Sequence, residues 1–117
     1  MSGITSYHAG LAAEGAVERH YARSGHAIAA RRWRGQGGEI DLIARDGDGL
    51  VFIEVKKSRS HEAAARRVSP RQMERIAVAA SEFLGLMPRG QMTPARFDVA
   101  LVDSLGRVAI LENAFAA

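Results

Sequence analysis

The stretch Gly38–Lys56, GEIDLIARDGDGLVFIEVK, decides how the chain is read. Two runs in which Val, Ile, Leu and Phe alternate with other residues flank Asp46-Gly47-Asp48-Gly49, the pattern of two strands joined by a tight turn. A loop centred on Gly47–Asp48 sets Asp41 opposite Glu54, Glu39 opposite Lys56 and Ile43 opposite Phe52. Strand side chains alternate with period two, so these six share one face, while Ile40, Leu42, Ala44, Val51, Ile53 and Val55 form an apolar face behind them. Like charges facing each other across a sheet destabilise it by a few tenths to about 1 kcal/mol, and more once burial strips their water. A divalent cation reverses that sign, because Mg²⁺ takes hard oxygen ligands. The alternative is a surface ion pair between Glu54 and Lys56 on an exposed sheet.

Composition limits what can surround such a hairpin. At 117 residues the expectation is one domain over residues 1–117, burying roughly two-thirds of its unfolded surface. An apolar fraction of 47% with only 6% aromatic residues points to an aliphatic, alanine-filled core. No apolar run approaches the roughly 20 residues of a membrane span, and no signal-peptide pattern opens the chain. The absence of cysteine excludes disulfides and thiolate metal sites. Together these features lead us to expect a cytoplasmic protein without a membrane segment. Net charge is only +3, but thirteen of the sixteen basic residues lie between Arg19 and Arg75. A cationic surface beside an acidic pocket suits a polyanion that a metal must reach.

The flanking elements follow from periodicity. Residues from about Thr5 to Ser24 read as a helix, with Leu11, Val17 and Tyr21 inward, Thr5 or Ser6 as N-cap and Gly25 as stop signal. Glu14 falls on the inward stripe, either aimed at the hairpin or paired with an arginine, and Glu18 competes with it. His26–Trp33 reads as a strand with Trp33 as a packing residue, and Arg34-Gly35-Gln36-Gly37-Gly38 as a flexible loop that lacks the lysine and helix of a phosphate cradle. Lys57–Val68 reads as a loop or short helix. Ser69-Pro70-Arg71-Gln72 opens a second helix with Ser69 as N-cap, Gln72 in a capping box and Gly85 at its end. Glu82 on that helix is expected to lie away from the hairpin. Pro88–Pro94 reads as loop, Arg96–Val102 and Arg107–Leu111 as strands, and the tail from Glu112 as frayed. The sum is an α/β fold, a mixed sheet flanked by helices. His8, His20, His26 and His61 show no ligand spacing.

With these elements in place, Asp41, twelve intervening residues and Glu54-Val55-Lys56 resemble the PD-(D/E)xK motif of restriction-endonuclease-like nucleases. Glu14, Gly38-Glu39-Ile40-Asp41-Leu42-Ile43, Phe52-Ile53-Glu54-Val55-Lys56 and Arg96-Phe97-Asp98 together resemble the YraN family. Its members are small bacterial proteins of largely unassigned function, related in fold to archaeal Holliday-junction resolvases. The likeness runs from about Gly10 to Val102.

It implies a restriction-endonuclease-like fold with Asp41, Glu54, the Val55 carbonyl and Glu14 as ligands of Mg²⁺ or Mn²⁺. It also implies that Lys56 assists the attacking water and that Gln72 reaches the site. Ile40 replaces the motif's proline, Arg32 a customary asparagine, and Ser58, followed by Arg59, an arginine.

The expected function is a Mg²⁺-dependent endonuclease on DNA, with branched or flapped forms in view, contacted by Arg32, Arg34, Lys57, Arg59 and Arg71. The rival is a non-catalytic nucleic-acid-binding module of a repair or processing complex. Resolvases of this fold act as dimers on junctions, which leaves a homodimer open.

Overall fold

The computed structural model describes residues 3–114, with side chains from residue 10 onward. Helix α1 spans Gly3–Arg23, followed by strands β1 (Ile28–Arg34), β2 (Glu39–Asp46) and β3 (Gly49–Lys57). The short helix α2 (His61–Ala65) and the longer α3 (Pro70–Leu84) lead through a 3₁₀ turn at Gly90–Met92 to β4 (Ala95–Val102) and β5 (Val108–Leu111). The five strands form one sheet in chain order, antiparallel except where β4 runs parallel to β3 after the helical crossover. This is the expected α/β architecture, a mixed sheet flanked by helices and compatible with a restriction-endonuclease-like fold.

Local chemistry sets the boundaries. Gly47 takes a φ of 57°, which a two-residue hairpin loop requires, and Asp46 pairs with Gly49. The Ser69 side chain accepts the Gln72 N–H to cap α3, with Pro70 in the first helical position. Ser60 caps α2 in the same way through the N–H of Ala63. The first helix begins at Gly3, ahead of the expected start; the side chains of Thr5 and Ser6 lie outside the described residues. The tail is tied down as far as Ala114, whose N–H donates to the Phe97 carbonyl at 2.8 Å, so fraying at Glu112 is not what the described residues do.

Two apolar layers clamp the sheet. Ala13, Val17 and Tyr21 of α1 pack on Leu42, Ala44, Val51, Ile53, Ala100 and Val102. On the other side Ile76, Ala79, Ala80 and Leu84 of α3 pack on Ile40, Ile43, Leu50, Phe52 and Phe97. Leu11, expected inward, is exposed, and Ala13 takes its place. Trp33 packs edge-on against Phe83, as expected of a core-facing ring.

The face assignment holds along the hairpin except at Ile40, which packs with α3 while Leu42 faces α1. Strict alternation would keep those two together, so the pleat breaks at Asp41. The neighbouring strand breaks at the same level. Arg31 pairs with Leu42 and Trp33 with Ile40, leaving Arg32 beside Asp41, and Arg32 has a φ of 48°. That left-handed conformation costs a non-glycine residue about 1–2 kcal/mol. It lets two consecutive residues reach the same helix, Arg31 to Glu18 and Arg32 to Glu14.

A buried polar node ties α1, β4 and the tail together. Asp98 is fully buried and accepts from Tyr21 Oη at 2.7 Å, Arg96 Nε at 2.9 Å and the Asn113 N–H at 3.0 Å. Burial and the Asp98 carboxylate push the Tyr21 phenol well above its ordinary range. Removing one donor to a buried charge loses a hydrogen bond of the stronger class. Tyr21→Phe should therefore lower unfolding free energy by roughly 1–2 kcal/mol in urea titrations, whereas an unchanged midpoint would mean the node contributes nothing.

Candidate metal and catalytic site

Pairing between β2 and β3 runs from Asp46–Gly49 to Leu42–Ile53 and stops. Beyond that point β2 stays with β1, through Ile40 and Glu39, while β3 stays with β4 as far as Lys57. The sheet forks there. Asp41 stands at the fork and its carboxylate accepts the Val55 N–H at 2.8 Å, in place of a β2 backbone acceptor. Glu39 and Lys56 thus lie on separated strands and are not a facing pair. In an extended strand the N–H and C=O of one residue leave by the same edge. The Val55 carbonyl therefore also faces the fork.

The other groups at the fork come from β3 and α3. Glu54 is only 5% exposed, and its carboxylate accepts from the Gln72 side-chain amide and lies 3.1 Å from Lys56 Nζ. Gln72 thus makes only half of the expected capping box: its backbone N–H is held by Ser69, but its side chain reaches Glu54 instead of turning back. Gly38, Glu39, Asp41, Glu54, Gln72 and Arg75 line a cleft of about 230 Å³.

Burial pushes the Asp41 carboxyl up to about 8, and the hydrogen bond and charge of Glu54 act in the same direction. The Val55 N–H and the Lys56 ammonium pull it down without compensating. Two carboxyls this close cannot both ionise cheaply without a cation.

The remaining expected site residues are placed as follows. Glu14 does not join the two carboxylates; its oxygens are taken by Arg32 at 3.0 and 3.2 Å. Among the described residues no three His, Asp or Glu side chains converge as a metal cage. The donor set is therefore two carboxylates and a strand carbonyl, which fits Mg²⁺, an ion that commonly keeps several waters and takes one or two protein carboxylates. Arg34 lies on the surface with Glu39 at 3.1 Å. Arg59 and Arg71 are exposed and Lys57 is half-buried.

Two residues have a part at the site that the sequence reading did not assign to them. Arg75 supplies a cationic wall to the cleft, and its position three residues after Gln72 on one helix face was the available signal. Glu82 accepts the N–H groups of Gln36 at 2.8 Å and Gly37 at 2.9 Å, and both bonds hold its carboxyl below the usual range. The glycine segment is thus fastened to α3 and not a flexible loop, and Glu82 is not remote from the hairpin. Gly37 lies so close to α3 that a β-carbon there would collide with Val78.

The raised Asp41 pKa has a stability consequence. The folded state holds a proton there that the unfolded chain releases near pH 4, so stability falls as pH rises from about 4 to about 8. Asp41→Asn should abolish this slope and leave the metal-free protein more stable than wild type at pH 8, by at least about 1 kcal/mol. Denaturant titrations at pH 5 and pH 8 check this; a gain equal at both values would contradict it.

The sequence profile described as "Uncharacterised protein family UPF0102" matches residues 13–102. A UPF0102 protein of Cereibacter sphaeroides (strain KD131 / KCTC 12085) is 70% identical over 117 residues, covering 100% of both chains. One from Ruegeria pomeroyi is 57% identical over 113 residues, covering 97% of this chain and 92% of its own. Another from Roseobacter denitrificans is 54% identical over 113 residues, covering 97% and 88%. No helix among the described residues is long and apolar enough to cross a membrane. With the profile covering both strands of the fork, α3 and the second half of α1, this chain belongs to the UPF0102 family, the YraN family.

Proposed function

We propose that this protein is a Mg²⁺- or Mn²⁺-dependent endonuclease that hydrolyses phosphodiester bonds in DNA. The observation that carries the reading is the convergence of Asp41, Glu54, Lys56 and Gln72 where β2 and β3 part. Hydrolysis needs a positioned water, charge stabilisation at the phosphoryl oxygens and a partner for the leaving group. Asp41 and Glu54 would hold the ion, with the Val55 carbonyl beside them. When bound, the ion supplies Lewis-acid stabilisation and lowers the pKa of water.

The chain's own groups do the rest. Gln72 fixes Glu54 by donating to it, which leaves less freedom to the carboxylate during binding. Lys56, held beside Glu54, would bring a positive charge to the attacking water and the phosphate. Arg75, in the wall of the same cleft, offers guanidinium N–H groups to a phosphate oxygen. The surrounding cations, Arg34, Lys57, Arg59 and Arg71, suit the flanking backbone. Branched and flapped DNA are the forms to test first.

One observation favours the second reading, a non-catalytic nucleic-acid-binding module in a repair or processing complex. Glu14 is engaged by Arg32, and among the described residues no three His, Asp or Glu side chains form a metal cage.

The two readings part on cleavage. Purified protein incubated with branched, flapped, single-stranded and duplex DNA in Mg²⁺ or Mn²⁺ should cut at least one substrate. Asp41→Ala, Glu54→Ala and Lys56→Ala should each lower the rate by at least about 100-fold. Gln72→Ala should lower it less, and Met92→Ala, an exposed side chain in the 3₁₀ turn, should leave it unchanged. Binding to DNA without cleavage of any substrate would replace the enzyme by the binding module.

A further inference from the structure

On the α1 side of the sheet, across from the carboxylate cleft, Arg19, His20 and Arg23 of α1 and Arg107 of the β4–β5 turn line a second cleft of about 330 Å³. No carboxylate side chain lines it. Most arginines near an acid on this surface are paired: Arg31 with Glu18, Arg32 with Glu14, Arg34 with Glu39, Arg66 with Glu62 and Arg96 with Asp98. Among the described residues neither Arg19 nor Arg23 is in an ion pair. They stand one turn apart, where like charges repel. The negative end of the helix dipole accounts for His20 and Arg23 in the last turn but fades before Arg19.

Arg107 completes the cleft in a different way. Its Nε donates to Asp103 at 2.7 Å, and the same buried carboxylate accepts the N–H groups of Leu105 and Arg107. Those donors outweigh burial and hold Asp103 below the usual carboxylate range. The guanidinium is thus oriented before any ligand arrives, yet the side chain remains 71% exposed. Preorganisation of this kind lowers the entropy lost on binding. Guanidinium groups match phosphate oxygens in a fork geometry that an ammonium cannot reproduce. The lining offers Ala16, Val108 and Gly106 as its remaining surface, with no Phe, Tyr or Trp on which a base could stack.

We infer that the cleft between Arg19, Arg23 and Arg107 is a second phosphate-binding surface, which takes the sugar–phosphate backbone of a nucleic-acid segment other than the one at Asp41 and Glu54. The identity of the polymer rests on the function proposed above. The sheet separates the two clefts, so filling both requires either a branched molecule whose arms pass the β5 edge or two separate segments.

Fluorescence anisotropy with labelled branched and duplex DNA in EDTA, from 50 to 200 mM salt, tests this. Arg19→Gln/Arg23→Gln should weaken binding of branched DNA by about tenfold at the middle of that range, and reduce the slope of log affinity against log salt by about 2. Met92→Ala, an exposed side chain in the 3₁₀ turn, should bind as wild type does. Arg45→Gln/Arg89→Gln removes the same charge from another cleft, near Gly47 and Pro88, and should have a much smaller effect. Thermal melts confirm that each variant is folded. Wild-type affinity and slope in Arg19→Gln/Arg23→Gln would overturn the inference and leave the nuclease reading intact. An equal loss in the charge-matched variant would also overturn it, since net charge alone would then suffice. Failure of the wild type to bind any DNA, or preference for anionic lipid vesicles, would remove both proposals.

Discussion

The Val55 N–H donates to a side chain, not to a neighbouring strand, and the fork depends on that substitution. A backbone donor at the parting of two strands must find an acceptor, because leaving it unpaired costs about 1–3 kcal/mol. Asp41 supplies the acceptor from within the gap. The carboxylate can therefore stay where β2 and β3 part, and Glu54 is drawn alongside by the continuing β3–β4 pairing. Gln72 and Lys56 then hold Glu54 from the side of α3 and from β3 itself. Acids are thus kept close together in a partly buried place by partners that satisfy their hydrogen bonds without removing their mutual repulsion.

Stability and function pull against each other at this point. The aliphatic layers on both faces and the Asp98 node supply the cohesion, and the fork spends part of it on a strained Arg32 and a protonated Asp41. Strain in a left-handed arginine persists because Glu14 and the β1–β2 pairing hold the residue on both sides. The glycine segment that enters β2 is likewise fastened by Glu82, so the strand carrying Asp41 begins from a fixed position. A site built on strands and a pinned entry loop is better positioned than one on a free loop.

Much of this was legible in the amino-acid order because hairpin register is a local property. The Asp46–Gly49 turn and period-two alternation fix which residues oppose each other, and Ile43 does face Phe52. The α3 cap was equally local, from Ser69 and Pro70. What escaped is non-local or depends on a backbone exception. Nothing in the letters marks Arg32 as left-handed, and so nothing moved Ile40 to the other face. Glu82 looked like a solvated helix residue because its partners lie in a loop 46 residues earlier. Glu14 was open either to the hairpin or to an arginine, and the geometry of Arg32 decided for the arginine.

Calorimetric titration of the metal-free protein with Mn²⁺ at pH 7.5, in two buffers of different ionisation enthalpy, probes the fork most directly. Convergence of Asp41 and Glu54 on a cation requires saturable binding with release of a large fraction of one proton from Asp41, and loss of that proton release in Asp41→Asn. No saturable binding, or binding that leaves proton release unchanged in Asp41→Asn, would contradict the fork as a divalent-cation site.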